Sequence, residues 1–148
     1  MLYFAYGSNL NHNQMLLFRC KGSKYIKKIF LKNYQLSFCH PNKKNAYGYA
    51  NVKKKRGSKV PGVIWKITKK HEKILDRYED FPNSYEKAFF KKNGKKVMYY
   101  IMGACSNRKP SRRYLKLIIK GYKDCKLDLN YLKDIISNYP SVKQLIKY

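Results

Sequence analysis

Residues 2–10 read Leu2-Tyr3-Phe4-Ala5-Tyr6-Gly7-Ser8-Asn9-Leu10. From Leu2 to Tyr6 every side chain is apolar or aromatic, the composition of a short strand buried on both faces. Gly7-Ser8-Asn9 then breaks the run with residues that favour a turn. Asn9 or Asn11 can cap a short helix over 13–18, with Met15, Leu16 and Phe18 as its apolar contacts. A buried strand that turns at once into a helix points to a sheet with helices packed against it.

The rest of the chain fills in both kinds of element. Residues 28–38 carry Ile29, Leu31, Tyr34, Leu36 and Phe38 in a strand-like pattern. Residues 47–52 form another candidate strand. The Lys53-to-Lys59 run that follows reads as a basic turn. After Pro61-Gly62, residues 60–67 make a third strand with Val63, Trp65 and Ile67 on one face. Residues 85–90 and 96–102 flank Asn93-Gly94, a strong hairpin signal. Thr68 is placed to cap a helix from 69 to about 79, with Ile74, Leu75 and Tyr78 inward and Phe81-Pro82 as its stop. Ser111 can cap a second helix closed near Gly121, and Asp128 a third that ends before Pro140. With no repeat and no linker, the expectation is an α+β fold over a single domain, residues 1–148: a small mixed β-barrel or curled sheet with flanking helices.

Composition bounds the chemistry. Lys and Arg total 34 against 8 Asp and Glu, a formal net charge of +26. Such a field attracts polyanions, yet a bias toward A/T-rich codons would enrich lysine as well, so charge alone divides evenly between function and composition. Cys20, Cys39, Cys105 and Cys125 form no CxxC pair and have no Cys–His spacing suited to zinc. They read as reduced, partly buried thiols, with no metal site. The first residues lack a basic and apolar leader, and no apolar run is long enough to span a membrane. A cytoplasmic protein without a membrane association is expected.

Five of the eight carboxylates lie close together: Glu72, Asp76, Glu79, Asp80 and Glu86. Helical spacing lets several share a face, and an acidic face offsetting nearby lysines accounts for most of them. Glu79 differs, because it falls at the expected helix end and can point into a cavity. The Gly7-Ser8-Asn9 turn can direct backbone N–H groups at one point, an anion-binding arrangement if a helix dipole stands behind it. On spacing alone the ordinary strand-to-helix turn is the better reading, because Gly-Ser-Asn is common in turns. His12, His40 and His71 have no motif linking them to Ser8, which disfavours a Ser–His mechanism.

These residues together resemble the gamma-glutamylcyclotransferase family. Residues 3–10, Tyr-Phe-Ala-Tyr-Gly-Ser-Asn-Leu, resemble its opening signature. Residues 15–19 resemble its next Met-to-Arg segment, and Gly62-Val63-Ile64-Trp65 its Gly-Val-x-Trp strand. Leu75-Asp76-Arg77-Tyr78-Glu79 is similar to its Leu-Asp-x-x-Glu element, whose last residue is the acid/base. Tyr100, then Pro110-Ser111-Arg112-Arg113-Tyr114 with Gly121, and Tyr131 follow in order. Tyr122 departs from the pattern, since alanine is usual after that glycine. The resemblance covers nearly the whole chain.

It implies a cofactor-free enzyme that closes the lactam ring of 5-oxoproline from a small gamma-glutamyl substrate. Glu79 would be the catalytic acid/base, and Tyr6, Gly7, Ser8, Asn9, Leu10, Tyr100 and Tyr114 the substrate-binding residues. The turn would hold either the substrate's carboxylate or the oxyanion at the reacting carbon. A base that must ionise near neutrality needs shielding from so positive a field, by Tyr78 and Phe81 or by the Tyr6 turn. The leaving group, amino acid or amine, and a monomer or homodimer state stay open. The alternative from another class is a basic nucleic-acid-binding module on an inactive scaffold of the same fold, with binding that is nonspecific and electrostatic.

Overall fold

The computed structural model describes residues 1–146; the last two of the expected domain lie outside the described residues. Strand β1 (Leu2–Ala5) lies inside the sheet. It pairs antiparallel with β3 (Tyr49–Lys66) on one side and parallel with β5 (Lys95–Ile101) on the other. Beyond these lie β4 (Glu86–Lys92), β2 (Lys24–His40) and β6 (Ser106–Asn107), in the order β4-β5-β1-β3-β2-β6. The fold is α+β, a curled sheet that stops short of a closed barrel, with helices α1 (Lys69–Tyr78), α2 (Arg112–Asp124) and α3 (Leu129–Ile136).

Having neighbours on both sides is why residues 2–6 can be so apolar. Phe4 is fully buried, and so is Trp65 on the neighbouring strand. The Trp65 indole N–H donates to the Asn9 carbonyl at 3.1 Å, which ties β3 to the turn after β1. That turn is a three-residue 3-10 element, Ser8–Leu10. Residues 14–19 follow as a π-helical segment, marked by the Cys20 N–H donating to the Met15 carbonyl five residues back. Asn11 caps it by accepting from the Gln14 N–H.

Helix starts fall where their caps place them. The side chains of Thr68, Ser111 and Asp128 accept from the N–H groups of His71, Tyr114 and Asn130. At the first, His71 returns the bond to the Thr68 N–H, completing a reciprocal cap. Asn93 and Gly94 both have positive φ, the backbone a tight two-residue hairpin needs.

Several expectations need correction. The basic run 53–59 is not a turn between two strands. β3 continues through it, paired along its length with a β2 that is longer than residues 28–38. The turn signal at Gly57 is absorbed as a bulge. Lys54 pairs with Tyr34 and Lys59 with Lys32, so residues 55–58 stand opposite Asn33, whose side chain accepts from the Gly57 N–H.

Helix α2 runs past Gly121 to Asp124. Gly121 is there for close approach, since a Cβ would sit 2.7 Å from the Leu10 Cβ and 2.8 Å from the Asn11 nitrogen. Tyr122 beside it is fully buried, and its hydroxyl has no hydrogen-bond partner among the described residues. Tyr78 points outward, 55% exposed, rather than into the core.

The four cysteines are not all free. Cys39 and Cys105 are joined in a disulfide with Cα atoms 5.6 Å apart, while Cys20 and Cys125 are buried thiols. The partners are 66 residues apart in sequence, and the pairing of β6 with Cys39 and His40 helps bring them together. Among the described residues no cluster of metal-ligating side chains occurs, and no helix is long and apolar enough to cross a membrane.

Candidate active site

Glu79 is the C-cap of α1. The helix stops there because the next residue, Asp80, takes a left-handed backbone with φ of 50°. The residue is only partly exposed, and its carboxyl end reaches a chamber of about 30 Å³ between α1 and the turn after β1. Tyr6, Gly7, Ser8 and Asn9 wall it on one side, with Tyr3, Ala50, Tyr85, Tyr100 and Tyr114 around them. The chamber opens into a vestibule of about 330 Å³, and Ser8, Glu79, Tyr85 and Tyr114 line both. A larger groove of about 810 Å³ beside Tyr34 and Tyr139 has no carboxylate in its walls, which leaves it without an acid/base of this kind.

The carboxyl group is held by few bonds. The Asn9 side-chain amide donates to Glu79 Oε1 at a long 3.4 Å and to the Tyr3 hydroxyl at 2.9 Å. Asn9 is itself fixed by Arg19, whose Nη1 donates to its Oδ1 at 2.7 Å. The Arg19 guanidinium lies 4.3 Å over the Tyr78 ring, and its Nε has no hydrogen-bond partner among the described residues. Burial raises the Glu79 pKa from 4.5 to about 7, while Arg19 and the Asn9 bond pull it down by less. A carboxyl poised near neutrality can both take and return a proton.

The neighbouring carboxylates are occupied otherwise. Glu72 and Asp76 both hold the Lys87 ammonium, at 3.0 and 2.9 Å. Asp80 accepts from the Ser84 hydroxyl at 2.7 Å. Glu79 is therefore the acid of the group that reaches the chamber.

The tyrosines divide by what their hydroxyls do. Tyr6 donates to the Tyr100 carbonyl at 2.6 Å, Tyr85 to the Ala50 carbonyl, and Tyr100 to Asp76 Oδ1 at 2.6 Å. Tyr114 instead accepts, from the Ala50 N–H at 3.0 Å, and Tyr3 accepts from Asn9. Those two keep their own proton to give. Burial raises the pKa of both, so they stay protonated at neutral pH.

The seven expected substrate-binding residues are thus not equivalent. Tyr6, Gly7, Ser8, Asn9, Tyr100 and Tyr114 surround the chamber. Leu10 does not: it is fully buried against Gly121, and its N–H is spent on the Gly7 carbonyl. Nor does a long helix stand behind the turn. Three residues of 3-10 helix supply little dipole, so any anion held there would rely on the first N–H groups of the turn. Gly7 is needed for space, because a Cβ would lie 2.9 Å from that of Ala50.

Sequence reasoning missed Tyr3, Ala50 and Tyr85 as chamber walls and Arg19 as the support of Asn9. Arg19 and Tyr3 lie within segments that carry the resemblance. Tyr85 has no local signal and arrives through the hydrogen bond that joins the start of β4 to β3.

Comparison with known proteins bears on the family of the chain. A family model described as gamma-glutamyl cyclotransferase, AIG2-like, matches residues 3–117. A gamma-glutamylcyclotransferase of Bos taurus is 31% identical, the match covering 95% of this chain and 79% of that protein. The Homo sapiens protein of the same name is 29% identical with the same coverage. A solved structure of a gamma-glutamyl cyclotransferase superposes with a TM-score of 0.77 at 28% identity, over 90% of this chain and 85% of that one.

Proposed function

The chain belongs to the gamma-glutamyl cyclotransferase, AIG2-like family, and from that premise we propose that it releases 5-oxoproline from a gamma-glutamyl amino acid or amine, with Glu79 as general base and then general acid. The observation that carries the reading is the Glu79 carboxyl, enclosed opposite the Gly7-Ser8-Asn9 turn and poised at a pKa of about 7.

The substrate's own alpha-amine, in its neutral form, is the nucleophile. Its nitrogen bonds to the gamma-carbonyl carbon, closing a five-membered ring and placing negative charge on the carbonyl oxygen and positive charge on the ring nitrogen. Glu79 takes the proton that this nitrogen sheds, which leaves the single N–H of the lactam. Tyr114, whose hydroxyl already accepts from Ala50, has a proton to offer that oxygen, and the N–H groups of Ser8 and Asn9 at the start of the turn can add to it. As the charge returns, the bond from the gamma-carbon to the leaving nitrogen breaks, and Glu79 delivers its proton to that nitrogen. The carboxyl ends as it began. Because attack is intramolecular, folding the flexible gamma-glutamyl chain inside a ring of tyrosines is a large share of the work.

No step calls for a cofactor. The chain has at hand the acid, the turn and the tyrosines that this reaction needs, which argues against the alternative of an inactive scaffold. The test is 5-oxoproline release from a panel of gamma-glutamyl amino acids, gamma-glutamyl amines and glutathione, run beside Glu79→Gln. Release by the parent protein and not by the variant supports the reading. A variant as active as the parent would remove Glu79 from the mechanism, and no release from any substrate would remove the activity.

A further inference from the structure

Carboxylates are distributed very unevenly: no Asp or Glu occurs before Glu72. Both long strands, β2 and β3, are therefore built without a single acid, and the structure pairs them with each other. Lys24 stands directly opposite Lys66, and Lys32 opposite Lys59. Like charges opposed across a ladder are destabilising. Codon bias can raise the amount of lysine, but it has no bearing on whether an acid stands across from one.

One face of this ribbon has a definite pattern. Along β2, Ile29 and Leu31 turn to the core, while Lys28, Phe30 and Lys32 turn outward. Alternate residues on a strand are roughly 6.6 Å apart, so cation, ring and cation repeat on the scale of one nucleotide of an extended strand. Phe30 is 51% exposed, with the Lys59 ammonium 4.2 Å from its ring centroid. Beside it runs a groove of about 590 Å³ with Pro61, Leu127 and Tyr131 in its walls. Lys126 brings a further cation to the rim, and Lys28 donates to the Lys126 carbonyl at 3.2 Å. The one acid lining the groove, Asp128, is committed to the N–H of Asn130 as the cap of α3.

We propose that the face formed by Lys28, Phe30, Lys32, Lys59 and Lys126 is a binding surface for single-stranded nucleic acid. Lysines at the flanks, about 13 Å apart along β2, meet phosphates about two nucleotides apart, and an exposed base between them stacks on Phe30. A duplex hides its base faces and can use the lysines only. An anionic lipid surface would also meet the lysines, but the face offers one ring set among cations rather than the row of apolar side chains that insertion needs. The surface is separate from the chamber around Glu79, so the inference stands whether or not the proposed reaction is right.

Fluorescence anisotropy with labelled uridylate and thymidylate oligomers of about 20 nucleotides, titrated across salt concentrations, provides the test. Both oligomers should bind more tightly than a duplex of the same length. Phe30→Ala should weaken binding by about fivefold or more, and Phe30→Trp should preserve it. Lys28→Gln with Lys59→Gln should lower the slope of log affinity against log salt by about 1.4, or 0.7 for each lost phosphate contact. Lys69→Gln with Lys70→Gln, an equal change of charge on exposed residues of α1, should leave the slope close to that of the parent. An equal loss in that control, no effect of Phe30→Ala, or tighter binding of duplex would overturn the proposal. Vesicles of phosphatidylserine bound with the same dependence on Phe30 and Lys28 would overturn it in favour of lipid.

Discussion

The chamber around Glu79 and the β2–β3 ribbon handle charge in opposite ways. In the chamber a lone carboxyl is surrounded by tyrosines and touched by one long hydrogen bond from Asn9, with the Arg19 cation held one residue away. On the ribbon, cations face cations in open solvent, and neither strand carries an acid to answer them. A chain of net charge +26 would be expected to hold every carboxylate firmly ionised, yet burial raises the Glu79 pKa to about 7. Enclosure at short range outweighs a long-range field that water and salt screen.

The sharpest way to break this contrast is to neutralise each region. In the chamber, Glu79→Gln keeps the shape and removes the proposed proton carrier. Turnover in the oxoproline assay should fall by at least the roughly 10²–10⁴ that a positioned acid/base contributes. The same variant should be more stable than the parent at pH 8, for a reason of sign. A carboxyl whose folded pKa lies above its unfolded value binds its proton more tightly when folded. Its ionisation therefore costs stability, from none below about pH 4.5 to the full amount above about pH 7. At about 1.4 kcal/mol for each tenfold change in proton affinity, the full amount is on the order of 3 kcal/mol. Denaturant melts of parent and variant at pH 4 and pH 8 measure it. A gap between the two that does not widen with pH would mean that the carboxyl is well solvated after all.

Arg19 tests how the chamber tempers its own burial. It is the largest of the influences that lower the Glu79 pKa, and it also fixes Asn9. Arg19→Gln should move the acid limb of kcat/KM from near pH 7 to higher pH, with activity recovering as the pH rises. Arg19→Lys should keep most of the wild-type limb. A loss of activity equal at every pH would assign Arg19 to structure alone.

What was readable in the sequence follows from the range of the forces involved. Thr68, Ser111 and Asp128 announce helix starts because a cap acts within three residues, and Asn93-Gly94 announces its hairpin for the same reason. Glu79 could be singled out because the helix end that aims it is local. The disulfide between Cys39 and Cys105 was not readable, since it takes long-range pairing, such as that of β6 with the end of β2, to bring those residues together. The continuity of β3 through residues 53–59 was hidden by a true turn signal at Gly57, which the long ladder with β2 accommodates as a bulge. Leu10 was misplaced as a site residue because a sequence motif does not distinguish the residues that face the chamber from the one that anchors it to Gly121.

On the ribbon, reversing a charge should do the opposite of what it does in the chamber. Lys32→Glu places an acid directly across from Lys59 and replaces a repulsive pair by an attractive one. A gain of about 0.2–1 kcal/mol is expected, read as a higher denaturation midpoint with unchanged slope. A loss of stability would show that the lysine stems pack usefully on this face, beyond their charge.

The smallest effect bears most directly on the comparison. If the lysines act on Glu79 only through solvent, then salt should weaken them there as it does elsewhere. The positive field favours the ionised carboxylate and so holds the pKa down, and screening should let it rise. The acid limb of kcat/KM should therefore move up by a few tenths of a pH unit between low salt and about 0.5 M, where the screening length falls well below 10 Å. Arg19 lies too close to be screened so easily, so in Arg19→Gln the salt shift should persist with similar size. A limb that moves down with salt would mean that the net field at Glu79 is negative, set by Glu72, Asp76 and Asp80. The +26 of the chain would then stop, electrostatically, at the rim of the chamber.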